Sequence, residues 1–263
     1  MATDKAVQSV TDSPDALLTC ILDMGEALLS SGAEIIRVED TLTRLCAAYG
    51  FSRINVFSIT SSIVLTVHCP DGRVITQTRR IPTRDTNLEK VAQVNALSRR
   101  ICRNPVSIPE FQEQILKIYK TKNYAMPIRC LCYAVISACF SVFFGGTAWD
   151  GVAAALSGVL VFGIQIFIQK LRLNGILQSL LVSAFTALVV VMMVRIGIGH
   201  TPEKITIGNI MLLIPGVAFT TSLRDIINGD TIAGLVGLSE AVIKAIAIAI
   251  GFAAVLVGIG GIL

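Results

Sequence analysis

Apolar residues follow two different rules along this chain, and the change falls near residue 124. Before it they recur at short regular spacings between polar residues; after it they form nearly unbroken runs of roughly twenty. Asp12-Ser13-Pro14 offers a cap with proline at the first helical position, which predicts a helix to about Ser31 that Gly32 breaks. From Ala33 to Tyr49, Ile35, Val38, Leu42 and Leu45 return every three or four residues, so they share one face of a second helix that stops at Gly50. Together these predict a helical hairpin. Runs rich in β-branched residues follow at Arg53–Ile59, Ser62–His68 and Arg73–Arg80, separated by Ser61-Ser62 and by the turn signal Pro70-Asp71-Gly72. An antiparallel meander is expected. Leu88, Val91, Val94, Leu97 and Ile101 mark a third helix stopped by Pro105, and 108–120 a fourth, giving an α+β domain with helices over one face of a small sheet.

Crossing about 30 Å of hydrocarbon takes roughly 20 helical residues. Runs of that length read at about 127–146, 149–169, 175–197, 204–223 and 235–260. Arg224, Asp225, Asp230, Glu240 and Lys244 interrupt the last two, so their ends can slide by several residues. Charge follows the same division, for only 12 of the 40 charged side chains lie beyond residue 124. The expected architecture is an α+β cytoplasmic N-terminal domain, 1–124, followed by an all-α polytopic membrane domain of about five transmembrane helices, 125–263.

Asp4, Asp12 and Asp15 occupy the start of the chain, without a basic segment followed by an apolar one, so no cleavable signal peptide is read there. Lys170 and Arg172 in the second connection and Arg224 in the fourth favour a cytoplasmic N-terminus, while the first connection, 145–150, has no basic residue. Arg195, His200 and Lys204 in the third connection dissent. Five spans from a cytoplasmic N-terminus place the C-terminus outside.

A net charge of +4, dispersed along the chain, is no nucleic-acid footprint. Seven cysteines, an odd number without paired zinc spacing, read as reduced thiols; Cys130, Cys132 and Cys139 read as packing residues of the first membrane helix. No metal and no cofactor are expected. A membrane-anchored enzyme is the competing class, yet His68 and His200 fall in different domains and no G-x-S-x-G, H-E-x-x-H or Walker loop occurs. A ligand sensor or scaffold also remains open.

Chemistry concentrates in the last two spans. Pro215-Gly216 falls near the middle of the fourth, where proline removes a helical hydrogen bond and glycine permits an unwound backbone. If the helix restarts at Val217, its first-turn N–H groups suit a substrate carboxylate; the bland alternative is a kink. Thr220 and Thr221 stand on that half-helix as candidate ligand or packing residues, and Asn209, two turns before the break, should point into the bundle. Glu240 and Lys244 are four residues apart and suited to an ion pair. If the fifth span starts near Thr231, Lys244 lies near the middle of the membrane as a substrate site, with Glu240 as proton carrier; if it starts near Ala241, both are interfacial. Arg224, Asp225, Asn228 and Asp230 form a polar group that suits either a solvated loop or a gate closed by pairing of the aspartates with Arg224. Asp150 reads as interfacial.

The order of residues resembles the threonine/serine exporter family of bacterial membrane transporters. The resemblance rests on Gly32-Ala33-Glu34, Arg37-Val38-Glu39-Asp40-Thr41, Thr78-Arg79-Arg80-Ile81, Asn87 and 94–99 in the soluble part. In the membrane part it rests on Phe144-Gly145-Gly146, Ile214-Pro215-Gly216-Val217 and 223–230. It implies export of small amino acids, or of a dicarboxylate such as succinate, by a secondary transporter of the cell inner membrane. Long members of that family carry about ten spans, so this chain looks like the larger half of a split, oligomeric system with a small membrane partner subunit. The resemblance also raises the gate reading, and implies domain docking or a vestibule for Glu34, Arg37, Glu39 and Asp40, with Arg79, Arg80 and Arg84 contributing.

Overall fold

The computed structural model describes residues 13–121, 124–171 and 173–260. Asp4, Asp12 and Arg172, used above for the leader, cap and orientation arguments, lie outside the described residues. The chain forms two compact units, one of Met1–Lys122 with Val217–Ser239, the other of Asn123–Gly216 with Glu240–Leu263.

In the first unit α1 spans Pro14–Ser30 and α2 Ile35–Ala48. Both end as the sequence asks: Gly32 at φ 86° and Gly50 at φ 85° take the left-handed turn, and the following amides, Ala33 N and Phe51 N, close on Leu28 O and Cys46 O at 3.1 Å. The strands β1 (Ser52–Ile59), β2 (Ser62–His68) and β3 (Val74–Arg80) form the expected antiparallel meander in the order β1-β2-β3. On β2, Ile63, Leu65 and Val67 are buried and alternate with half-buried residues, so one face of the sheet supplies the core. That core also takes Leu17, Ile21, Leu28, Val38, Leu42 and Leu45 from the hairpin and Val94, Ile101 and Phe111 from α3 (Leu88–Arg103) and α4 (Ile108–Tyr119). Asn87 caps α3 by accepting Lys90 N at 3.0 Å.

The distant stretch from Val217 to Ser239 belongs to the same unit. It holds α9 (Gly216–Ile227) from its second residue and the start of α10 (Thr231–Gly260). Ala233 joins the first unit's core. Gly234 and Gly237 lie so close to Ile226 and Ser222 that a methyl group at either would collide, which makes α9 and α10 a tight antiparallel pair at their connection.

The second unit contains α5 (Met126–Phe143), α6 (Ala148–Lys170), α7 (Gly175–Arg195), α8 (Pro202–Leu213) and the remainder of α10. Among the described residues four helices, α5, α6, α7 and α10, are long and apolar enough to cross a bilayer; α8 with α9 makes a fifth if the broken pair is one span. Large apolar side chains stand exposed along them, among them Leu131, Phe143, Phe167, Met192 and Val257, a surface stable only against lipid or protein. The inward faces mix small and polar residues with larger apolar ones: Ser137, Ser141, Ser157, Ser183 and Thr186 are buried beside Ala153, Ala154 and Ala187, and so are Val161, Val182 and Val190. Cys132 and Cys139 depart from the packing role expected of them and are exposed on α5, because the helical period assigns the inward face to Ser137 and Ser141.

Candidate functional site

The fourth apolar run is not one helix. Helix α8 stops at Leu213, Ile214 turns extended at φ −60° and ψ 128°, and α9 restarts at Gly216, whose N–H donates to Ile214 O at 2.8 Å. The residue before a proline resists the helical conformation, and proline supplies no amide to continue the ladder, so Ile214-Pro215 is where the chain must break. A new helix start then exposes first-turn amides at Val217 to Phe219 that have no acceptor within their own helix. Thr220 Oγ1 donates to Val217 O at 3.0 Å and Thr221 Oγ1 to Val217 O at 2.9 Å, so both hydroxyls bond back along α9.

Asn209 does point into the bundle and is fully buried. Its amide nitrogen donates to Ser157 Oγ at 2.7 Å and Ile205 O at 2.9 Å, while its oxygen accepts from Ser137 Oγ at 3.0 Å. Three helices, α5, α6 and α8, are thereby stapled through one side chain with both donors used. Asp150 is likewise fully buried at the start of α6. One carboxylate oxygen accepts His200 N at 2.7 Å and Thr201 N at 2.9 Å; the other accepts Thr147 N at 2.9 Å and Thr147 Oγ1 at 2.8 Å. It is a structural clasp between the start of α6 and the approach to α8, at the end of the second span where the sequence places an interfacial residue.

The polar group of 224–230 is brought against the hairpin within the first unit. Arg224 forms a short ion pair with Glu34, and Asp225, buried, accepts Ile35 N at 3.1 Å. Among the described residues neither aspartate pairs with Arg224: as neighbours in a helix Arg224 and Asp225 point about 100° apart, and the two side chains reach different partners. Asp230 stands near enough to Glu39 and Asp225 to act on both electrostatically, and Asn228 is exposed at the end of α9.

The four residues of the expected docking set divide. Glu34 and Glu39 face inward, with Glu39 accepting Ser58 N at 2.7 Å; burial, followed by the nearby Asp230, pushes its carboxyl above the ordinary range despite that bond. Arg37 and Asp40 are exposed toward α3 instead. Arg79 pairs with Asp23 at 2.6 Å and Glu26 at 3.5 Å, tying β3 to α1; Arg84 acts electrostatically on Asp225, and Arg80 is exposed.

Glu240 is exposed and Lys244 half-buried on α10, and among the described residues no ion pair joins them. Lys244 lies instead beside Gly175 at the start of α7. Among the described residues no three His, Cys, Asp or Glu side chains gather as a metal site. At the end of β2, burial raises the Cys69 thiol above its ordinary range, the opposite of an activated nucleophile.

The staple at Asn209, the clasp at Asp150 and the capping by Asp225 escaped the sequence because their partners are 50 to 190 residues away. Only burial of a polar residue in an apolar run hinted at the first two.

Comparison with known proteins adds a second line of support. The family model described as "Putative threonine/serine exporter" matches residues 19–258. A Klebsiella aerogenes protein named "Probable succinate transporter subunit YjjP" is 25% identical over 229 residues, 85% of this chain and 86% of that protein. The "Threonine/serine exporter" of Corynebacterium glutamicum is 23% identical over 215 residues, 78% of this chain and 44% of its own. The "Probable threonine/serine exporter" of Mycobacterium tuberculosis is 22% identical over 237 residues, 89% and 45% respectively. The chain thus spans less than half the length of these two exporters. No solved structure matches it.

Proposed function

Because the chain belongs to the threonine/serine exporter family, we propose that it is a subunit of a secondary transporter that exports threonine and serine, or a small dicarboxylate, together with a small membrane partner. The family is one of transporters and not of enzymes, and the chain is a multi-pass membrane protein. The observation that carries the reading is the family match, which runs without division through the sheet-bearing region and every apolar helix. The word "subunit" in the name of the Klebsiella relative supports a partner.

The broken span supports a carboxylate site. Amides at the start of α9, aligned with a helix dipole inside a poorly screened environment, favour an anion over water. Lys244, half-buried on α10, is proposed as a counter-charge for an anionic substrate.

Helix α10 is about 45 Å long, well beyond the roughly 30 Å of hydrocarbon. Its first nine residues belong to the first unit, and the stretch from Glu240 to Gly260 rises about 30 Å by itself. This supports an interfacial Glu240, with Lys244 one turn deeper, over a buried proton carrier at position 240. Arg224 with Glu34, and Asp225 with Ile35 N, are proposed as the closed gate. The N-terminal unit is placed in the cytoplasm and the C-terminus outside, on the basic residues of the second and fourth connections.

The test is efflux. Proteoliposomes containing the chain, with and without its small partner, are loaded with radiolabelled threonine, serine or succinate and given a proton gradient. At least one solute should leave faster than from empty vesicles, and the gradient should change its rate. Retention of all three with both proteins present would overturn the reading.

A further inference from the structure

The first unit carries a basic cleft between α2 and α3. Helices α2 and α3 pack on each other, and their outer edges leave a cavity of about 540 Å³ with Arg37, Asp40 and Arg44 on one wall and Arg99 and Arg103 on the other. That volume suits a small molecule. Four guanidinium groups stand against one carboxylate, and three of the four are held in a common way. Arg44 donates its Nε to Asp40 Oδ1 at 2.8 Å, Arg99 donates its Nε to Asn95 O at 3.2 Å, and Arg37 Nε lies 3.9 Å from Glu34 Oε2. Each guanidinium thus meets at Nε a residue one turn earlier, by a hydrogen bond for Arg44 and Arg99 and by a looser ion pair for Arg37, and among the described residues their terminal nitrogens remain to serve another acceptor. Buried Thr41 and Ser98 also line the cleft, the Ser98 hydroxyl donating to Asn95 O at 3.0 Å.

We propose that this cleft binds a small dianion, a dicarboxylate or a phosphate-bearing metabolite, through paired guanidinium forks from its two walls. A guanidinium fork matches the two oxygens of a carboxylate or phosphate, and arginines on opposite walls suit a ligand with negative charge at two places. Excess positive charge disfavours a zwitterion: threonine or serine brings an ammonium for which Asp40, already engaged by Arg44, is the one acidic group of the lining. The proposal does not depend on transport, because every residue that lines the cleft belongs to the first unit.

Isothermal titration calorimetry on the full-length protein in detergent micelles, at fixed ionic strength, tests it with sodium succinate, inorganic phosphate and threonine. Succinate or phosphate should bind measurably and more tightly than threonine; the tighter of the two identifies carboxylate or phosphoryl oxygen as the preferred group. The double variant Arg37→Gln/Arg99→Gln should weaken that binding by about tenfold or more. Arg99→Lys, which keeps the charge but loses the fork, should fall between it and wild type. Arg100→Gln, outside the cleft and bonded to Gln114, should leave binding unchanged. Thermal unfolding of the double variant within a few degrees of wild type excludes simple misfolding. The proposal is overturned if neither dianion binds, if threonine binds as tightly as they do, or if the double variant binds like wild type.

Discussion

The carboxylate of Asp225 accepts the backbone N–H of Ile35 at 3.1 Å, so the first turn of α2 is capped by a residue 190 positions further along the chain. Glu34, in the N-cap position, makes no such bond with its own side chain and pairs with Arg224 instead. The capping of one helix and the end of another are therefore held by two adjacent residues on each side. Asp225→Ala should destabilise the protein by about 1–3 kcal/mol, the cost of an unsatisfied buried amide. Asp225→Asn, which keeps an acceptor oxygen, should cost less, and unfolding by denaturant in detergent measures both. Equal loss in the two variants would show that charge, and not capping, is what Asp225 supplies.

Asp150 makes the opposite prediction for the same pair of changes. Both of its oxygens are occupied by donors, two on each. An amide must turn an NH₂ group toward one of those pairs, so Asp150→Asn should be about as damaging as Asp150→Ala, roughly 2–3 kcal/mol in each case. Thermal inactivation of the two variants side by side gives the comparison.

Glu39 sets a pH dependence. Its folded carboxyl titrates above the ordinary value, so the folded state binds a proton more readily than the unfolded chain does. Its contribution to stability is then fully present at acidic pH and declines as pH rises through the folded value. Glu39→Gln keeps an acceptor for Ser58 N and removes the buried charge. The variant should gain on wild type as pH is raised from about 4.5 toward neutrality, and the two should converge at lower pH. Melting curves across that interval show the sign directly.

The roles proposed for Lys244 and Glu240 separate in transport. Lys244→Gln should abolish or greatly slow efflux of an anionic solute, whereas Glu240→Gln should keep its dependence on a proton gradient. A gradient-insensitive Glu240→Gln transporter would restore that carboxyl as a proton carrier.

Much of this architecture was legible in the sequence. The spacing of Ile35, Val38, Leu42 and Leu45 announced α2, the Pro70-Asp71-Gly72 turn announced the β2–β3 hairpin, and Pro215 with the residue before it announced the break in the fourth run. These signals are local: one helical turn, one pleat, one missing amide. The partners of Arg224 and Asp225 were not legible, because the two look interchangeable as a charged pair until the α2 terminus arrives to choose between them. Nor was the division of Arg37 and Asp40 from Glu34 and Glu39. A single helix shows all four as one charged stripe, and only the packing of α3 on one side and β1 on the other gives them different neighbours.

The interrupted span between α8 and α9 is the proposed seat of the transported solute. Its most direct test is the initial efflux rate of the double variant Pro215→Leu/Gly216→Ala in proteoliposomes, with insertion and helicity matched to wild type. Restoring a continuous helix there removes the free first-turn amides, so efflux should fall by at least about tenfold while the protein stays folded. A variant that exports at the wild-type rate would contradict the account.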